Sequence, residues 1–357
     1  MIVMLKKRIA MGILAGLLAC SFIAGCGGDK GTSEPPKPKP IAADLKDLPN
    51  KDLKIGSKTY KLYTLKNNAN QRLNNTYSSG MFVAVAGRDM IFANVKGKLV
   101  QMKWEKDGVR MINDNAAAMN PSAKLAADDK GVFYINKKLR LAYFDGTTGR
   151  EDIAWNRMKN LALVQNGAAP DKALTWSTTD PIQKVELRNG YKVGKDLGVV
   201  RPSYRDRMNA DDKDKINMVQ SLMTDKHGDI FVGGFARVSG NDVGLVAVYD
   251  NNGKQKRVIG KEKRDQTNAM LTVSDIAITD DYLVVSDCTP SKYNLMIYKK
   301  NTGSFVQRIE FKELTDNKDK TMIGSTVNLA NMPDNRVFVV LSRDKRNVDD
   351  EFFILQL

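Results

Sequence analysis

Few residues of this 357-residue chain are equipped for chemistry, and their counts narrow the choices. There is one histidine, His227, in the turn segment Asp225-Lys226-His227-Gly228-Asp229. A three-histidine zinc site is therefore excluded, and any imidazole catalysis would rest on His227 alone, which reads as a surface residue. Three cysteines, Cys20, Cys26 and Cys288, cannot supply a four-cysteine zinc or iron–sulfur site or a disulfide framework. No GxSxG, Walker or GxGxxG segment occurs in a suitable context, so no catalytic residue is assigned. Asp211-Asp212-Lys213-Asp214 has the composition of a calcium loop but lacks its glycine and closing glutamate, so no metal ligand is assigned there. What remains is recognition chemistry. Segment 66–79 holds five Asn, one Gln, Arg72 and Tyr77, and segment 200–216 holds Arg201, Tyr204, Arg205 and Arg207. Amides, guanidinium groups and aromatic rings suit hydrogen bonding and stacking on a sugar or peptide. Arg72, Tyr77, Tyr204 and Arg205, with Trp176 as a stacking platform at a strand end, are the candidate partner-binding residues. Solvated loops without a ligand are the plain alternative.

The elements that must position these residues recur along the chain. Six β-branched and aromatic runs act as anchors: Met90–Ala93, Val132–Ile135, Ala173–Trp176, Ile230–Gly233, Leu283–Ser286 and Val337–Val340. Each follows a tight-turn sequence, respectively GRD, DDKG, PDK, DKHGD, TDD and PDN. A further run follows each clear copy, often ending in an aromatic residue and Asp, as in LRLAYFDG (139–146) and LVAVYDNNG (245–253). The anchors lie 41 to 57 residues apart. Four short strands per unit at this period are the signature of a propeller blade. A β-sandwich would leave the repeating unit unexplained.

Closure gives the expected blade count. The run FFILQL (352–357) reads as a third strand with no fourth after it, and bare strand edges are a liability. Residues 58–65 alternate as a strand and are expected to complete the last blade. The fold class predicted is therefore all-β: a six-bladed β-propeller over 58–357, closed by an N-terminal strand. Loops 66–79, 200–216, 235–243, 261–272, 287–294 and 342–350 are expected to be long and to share one face, the expected working face.

The N-terminus reads as an address. Lys6, Lys7 and Arg8 precede an apolar run of 14 residues, 9–22, too short to span a bilayer comfortably. Ile23-Ala24-Gly25-Cys26 resembles the bacterial lipobox; Leu17-Leu18-Ala19-Cys20 fits less well, because Leu18 is bulky at a small position. The resemblance implies a signal peptide over 1–25 and Cys26 lipidated, palmitate included, as the mature N-terminus. An uncleaved anchor is the alternative. Gly27 after the cysteine implies onward transport to the outer membrane where one is present. Residues 26–57, with GGDKGTSEPPKPKP at their head, read as a flexible tether. With Cys20 removed and Cys26 acylated, Cys288 has no partner, so stability must come from packing.

Residues 224–260 resemble an NHL-type propeller blade: turn, strand, long loop, a strand ending in Tyr249-Asp250, turn, strand. Residues 273–311 and 121–155 repeat the pattern. The resemblance implies a binding module. A second resemblance, to gluconolactonase-type six-bladed propellers, implies a divalent cation such as Ca²⁺ in the central channel. Asn160, Asn217, Asp275 and Asn328, on the innermost strands, would then be its oxygen ligands. GMFVAVAG (80–87) departs from that family, offering no Glu where a metal ligand and general base are placed. A metal-dependent hydrolase or lactonase is thus the alternative to a non-enzymatic module without cofactor. Lys and Arg total 56 against 41 Asp and Glu, a formal charge of +15. Removing 1–25 takes away three cations and no acid, lowering the charge to about +12. The excess is diffuse, densest over Lys254–Arg264, and suits weak attraction to anionic envelope surfaces rather than nucleic acid. The expectation is an extracytoplasmic, lipid-anchored monomer that binds an envelope protein or glycan.

Overall fold

The computed structural model describes residues 44–69, 82–151, 160–164, 172–176, 182–188, 192–200, 218–238, 241–260, 268–288, 293–315, 326–342 and 349–357. All belong to the second of two units, Ile41–Leu357. A 3-10 turn at Leu45–Asp47 leads into a hairpin of β1 (Asn50–Ile55) and β2 (Lys58–Asn68). Antiparallel meanders follow in chain order. The first comprises β3 (Phe82–Ala86), β4 (Met90–Val95), β5 (Lys98–Glu105) and β6 (Gly108–Ala118). The second comprises β7 (Ala126–Ala127), β8 (Val132–Ile135), β9 (Leu141–Phe144) and β10 (Gly149–Glu151). The third comprises β11 (Asn160–Val164), β12 (Lys172–Trp176), β13 (Ile182–Arg188) and β14 (Lys192–Val200). The fourth comprises β15 (Met218–Thr224), β16 (Ile230–Val238), β17 (Asn241–Tyr249) and β18 (Gln255–Ile259). The fifth comprises β19 (Val273–Ile278), β20 (Tyr282–Cys288), β21 (Tyr293–Lys299) and β22 (Phe305–Glu310), capped by the one-turn helix α1 (Phe311–Leu314). The last comprises β23 (Thr326–Met332), β24 (Arg336–Ser342) and β25 (Glu351–Gln356), and takes β2 as its fourth strand.

The first strand of each meander touches the first strand of the next, from β3 through β7, β11, β15 and β19 to β23, and β23 returns to β3. Four-stranded meanders whose inner strands close a ring are the blades of a β-propeller. The anchor runs form the second strands. They bury both faces because each blade is sandwiched between two others: β8 is wholly buried, and β24 is buried from Val337 to Ser342. Clusters such as Phe231, Val246 and Val248 against Val273, Ile276 and Val285 fill the inter-blade layers. Layer spacing is set locally by Gly233, where a Cβ would come within 2.7 Å of Val273 Cγ1.

The turns carry the expected chemistry. Asp128 Oδ1 accepts from the Lys130 and Gly131 amides at 2.8 Å each, and Asp225 Oδ1 accepts from those of His227 and Asp229 at 2.9 and 3.0 Å. Asp334 and Asn335 both take positive φ, 61° and 56°, in the tight Pro333-Asp334-Asn335 connection between the partners Met332 and Arg336.

Closure follows the expectation, with Lys61–Leu65 of β2 pairing antiparallel with Phe352–Gln356 of β25. Three features depart from it. The ordered body begins before residue 58: Leu45, Leu48, Leu53 and Ile55 are buried, and β1 pairs with β2 along its whole length. The proposed tether 26–57 therefore ends before Asp44, because its last third carries apolar residues spaced to fill the seam between blades. Segment 66–79 begins as strand, since Lys66, Asn67 and Asn68 pair in parallel with Gly108, Val109 and Arg110 of β6. Segment 235–243 is chiefly hairpin rather than loop, with β16 running to Val238 and β17 starting at Asn241.

Candidate functional site on the axial channel

Inner strands that run beside the ring axis place residues from different blades at one height. At the end of the channel where each inner strand begins, Asp275 of β19 forms a hub. Its Oδ1 accepts from Lys124 Nζ at 3.0 Å and from Ser221 Oγ of β15 at 2.9 Å. Its Oδ2 accepts from the Leu329 backbone N–H of β23 at 2.9 Å. Lys124 precedes β7, so it reaches from the second blade to the fifth, across the axis, and lies 4.8 Å from the Phe82 ring centroid of the first. The lysine and aspartate side chains retain 11% and 9% exposure. This ion pair plugs the channel.

One residue further along the same strands the lining turns apolar. Val83, Leu125, Leu222 and Ala330, with Ala162 from the third blade, surround a narrow cavity of about 90 Å³. This shaft widens into a mouth of about 350 Å³, the two sharing Val85, Ala127, Thr224 and Asn331. The rim is built from turns between first and second strands: Gly87, Asp128, Asp129, Asp225, Asp280 and Pro333, with Lys226 and Lys300 beside them. Lys300 and Asp225 make a buried pair at 3.3 Å, and Lys226 meets Asp280 at 2.6 Å in solvent. Asn331 Oδ1 accepts from Ile278 N at 2.8 Å, tying the last blade to the fifth.

Two further polar clusters lie away from the axis. Asp287, buried in β20, accepts from the Leu271 and Thr272 amides at 2.9 Å each, yet desolvation outweighs these bonds and holds its carboxyl above the usual range. The phenols of Tyr60 and Tyr282 lie 2.6 Å apart, with Lys299 Nζ 3.1 Å from the Tyr282 oxygen. Burial first, then the bond to Tyr282, pushes the Tyr60 phenol up. For Tyr282, burial works upward but the bonds to Tyr60 and Lys299 together outweigh it and bring its phenol down.

No protein-family model and no curated protein sequence matches the chain. Solved structures are similar in shape. One is a chain of the nidogen/laminin complex, at 12% identity, covering 74% of this chain and 93% of that one with a TM-score of 0.47. Another is the WD40 propeller domain of Doa1, at 14% identity, with 82% and 95% covered and a TM-score of 0.45. A third is BamB from Moraxella catarrhalis, at 14% identity, with 77% and 71% covered and a TM-score of 0.39. All three scores fall below 0.5, so the propeller assignment stands on strand connectivity.

Cys26, Arg72, Tyr77, Tyr204, Arg205 and Asn217 lie outside the described residues. The backbones of Asn160 and Trp176 are register partners at one end of the third blade's β11–β12 pair. Asn67, one of the amides in segment 66–79, spends its Nδ2 on the Asp350 carbonyl at 3.1 Å and its Oδ1 on the Ala69 amide at 3.1 Å. Of the four proposed channel ligands, Asp275 and Asn328 are described side chains and both are buried. Among the described residues no three His, Cys, Asp or Glu side chains gather as a metal-binding group. The charge facing Asp275 comes from Lys124. The lysine went unnoticed in the sequence because Ser122-Ala123-Lys124-Leu125 carries no motif, and only ring closure brings it to Asp275.

Proposed function

We propose that the chain is a bacterial envelope lipoprotein, anchored by lipid on Cys26, whose propeller has six blades of NHL-like type and acts as a monomeric, non-enzymatic binding module. The lipobox-like Ile23-Ala24-Gly25-Cys26 supports the anchor and an extracytoplasmic location, in the outer membrane where one exists. The closed ring of inner strands supports the blade count. The partner is an envelope protein or a glycan, met by Arg72, Tyr77, Trp176, Tyr204 and Arg205. The observation that carries the non-enzymatic reading is the state of Asp275. The hydrolase alternative needs this carboxylate as a metal ligand, and here both oxygens accept hydrogen bonds while Lys124 supplies the countercharge. A divalent cation would have to displace that ammonium group.

Two experiments test the reading. Cys26→Ser should move the protein from the membrane fraction to the soluble fraction; a variant that stays in the membrane with residues 1–25 attached refutes the anchor. Capture of an envelope partner should weaken tenfold or more in Tyr204→Ala or Arg205→Ala. A stoichiometric divalent ion in the purified protein, lost in Asp275→Ala, would overturn the non-enzymatic assignment.

A further inference from the structure

We propose that the shaft and rim form a separate site for an organic cation with a short unbranched apolar tail, its head at the rim and its tail in the shaft. This goes beyond the partner-binding reading and does not rest on it. β3 and β15 begin at the end of the channel opposite the rim.

Shape comes first. The mouth of about 350 Å³ runs into the shaft of about 90 Å³ through shared walls, so one ligand can occupy both. The shaft is narrow because strands from five blades crowd it, and it stays open because Ala162 and Ala330 are small. The Lys124–Asp275 pair sits one residue beyond Leu125 and forms its floor. That floor makes no demand for a polar tail, since Lys124 and both Asp275 oxygens already have partners. An apolar chain entering the shaft leaves water for contact with Val83, Leu125, Ala162, Leu222 and Ala330.

Charge selects the head. The rim carries Asp128, Asp129, Asp225 and Asp280 against Lys226 and Lys300, a net of about −2 on a chain of formal charge +15. Asp225 and Asp280 have cationic partners. Among the described residues Asp128 and Asp129, adjacent on one side of the mouth, make no ion pair; the Asp128 carboxylate is held by the Lys130 and Gly131 amides and the Tyr143 hydroxyl, which leaves Asp129 as the carboxylate for the head. An ammonium head held there completes the pairing, and at physiological salt the distant positive surface is screened beyond about 8 Å.

The test titrates straight-chain alkylammonium ions, ethyl to octyl, into the full chain carrying Cys26→Ser, with alkyl carboxylates of matched length beside them, followed by calorimetry. Affinity should rise about fourfold per methylene until the shaft is filled and then level off. Carboxylates should bind at least tenfold more weakly, and Asp129→Asn should narrow that gap. Ala330→Leu should abolish the dependence on chain length; if that variant does not fold, Ala162→Val should shorten the rise. A flat response to chain length, equal binding of carboxylates, or a rise that persists in a folded shaft-filling variant overturns the proposal. Loss of partner capture in Tyr204→Ala with alkylammonium binding intact shows the two sites to be independent; loss of alkylammonium binding in Tyr204→Ala overturns this assignment.

Discussion

The Lys124–Asp275 pair is the contact whose removal is most informative, because it joins blades on opposite sides of the ring. Lys124→Met keeps the alkyl volume and removes the charge, leaving Asp275 buried without its cation. Breaking one side of a buried pair costs about 3–5 kcal/mol. The low end applies, since Ser221 Oγ at 2.9 Å and Leu329 N at 2.9 Å still serve the two carboxylate oxygens. The expected loss is therefore about 3 kcal/mol, a fall in thermal midpoint of roughly 4–5 °C for a body of this size. Asp275→Asn alone should cost a comparable amount by stranding Lys124. The double variant should be more stable than the sum of the two losses by about 2 kcal/mol, because it removes the stranded charge in both single variants. Guanidinium denaturation of all four proteins measures the cycle. A loss under about 0.5 kcal/mol for Lys124→Met, or strict additivity, would refute the claim that this pair pins the ring.

The remaining predictions address turn, burial and seam. Gly131→Ala should destabilise by about 2 kcal/mol or more, since the new Cβ would strike the Phe144 carbonyl oxygen and come within 2.9 Å of Asp145 Cα, both backbone; a thermal midpoint within 2 °C of wild type would contradict it. For Asp287, burial raises the folded carboxyl above its unfolded value, so its contribution to stability is present at low pH and lost as pH rises through the folded pKa. Asp287→Asn keeps an oxygen for the Leu271 and Thr272 amides, so it should match wild type in acid and exceed it at pH 8; urea midpoints at both pH values decide. Truncation to residue 58 should lower stability markedly, since Leu45, Leu48, Leu53 and Ile55 are buried and each contributes about 1.5–3 kcal/mol, whereas truncation to residue 40 should change nothing measurable by denaturation.

Much of the architecture was legible because the second strand of each blade lies between two others. Burial on both faces forces unbroken β-branched and aromatic runs, such as Val337–Val340, and these stand out against any alternating pattern. Closure by residues 58–65 followed from the physics of bare edges. The hairpin partner β1 was missed because Asn50–Ile55 has only two buried positions, Leu53 and Ile55, beside Lys51, Asp52 and Lys54, and follows a proline-rich stretch. Segment 235–243 was misread as loop because Gly240 and Asn241 look like loop residues, while a hairpin needs only two residues outside its strands. The site was far less visible. Asp275 could be assigned to the channel from its strand position, but Lys124 lies 151 residues away in sequence, and no local pattern announces a pair that forms only when the ring closes. The rim aspartates were read as turn chemistry, which Asp128 and Asp225 do perform; their convergence on one mouth is a property of the ring.

The same closure explains why residues 44–68 do more than complete one blade. β2 pairs antiparallel with β1 and β25 over its first half, then in parallel with β6 at Lys66–Asn68, so one strand is bonded to both sides of the seam between last and first blades. Leu45 and Leu48 bury against the same cluster as Val83 and Phe352, which come from those two blades. A ring closed by hydrogen bonds alone would open first between β25 and β2, because these two are neighbours in the last blade but lie at opposite ends of the chain, whereas β2 itself is joined to the first blade by the covalent chain. Apolar burial on the outer side of the seam, together with a parallel staple to the next blade, raises the cost of opening at the point where the topology is weakest. Hydrogen exchange in β2 should therefore be as slow as in β24, and the extra residues ahead of the closing strand are there to secure the ring.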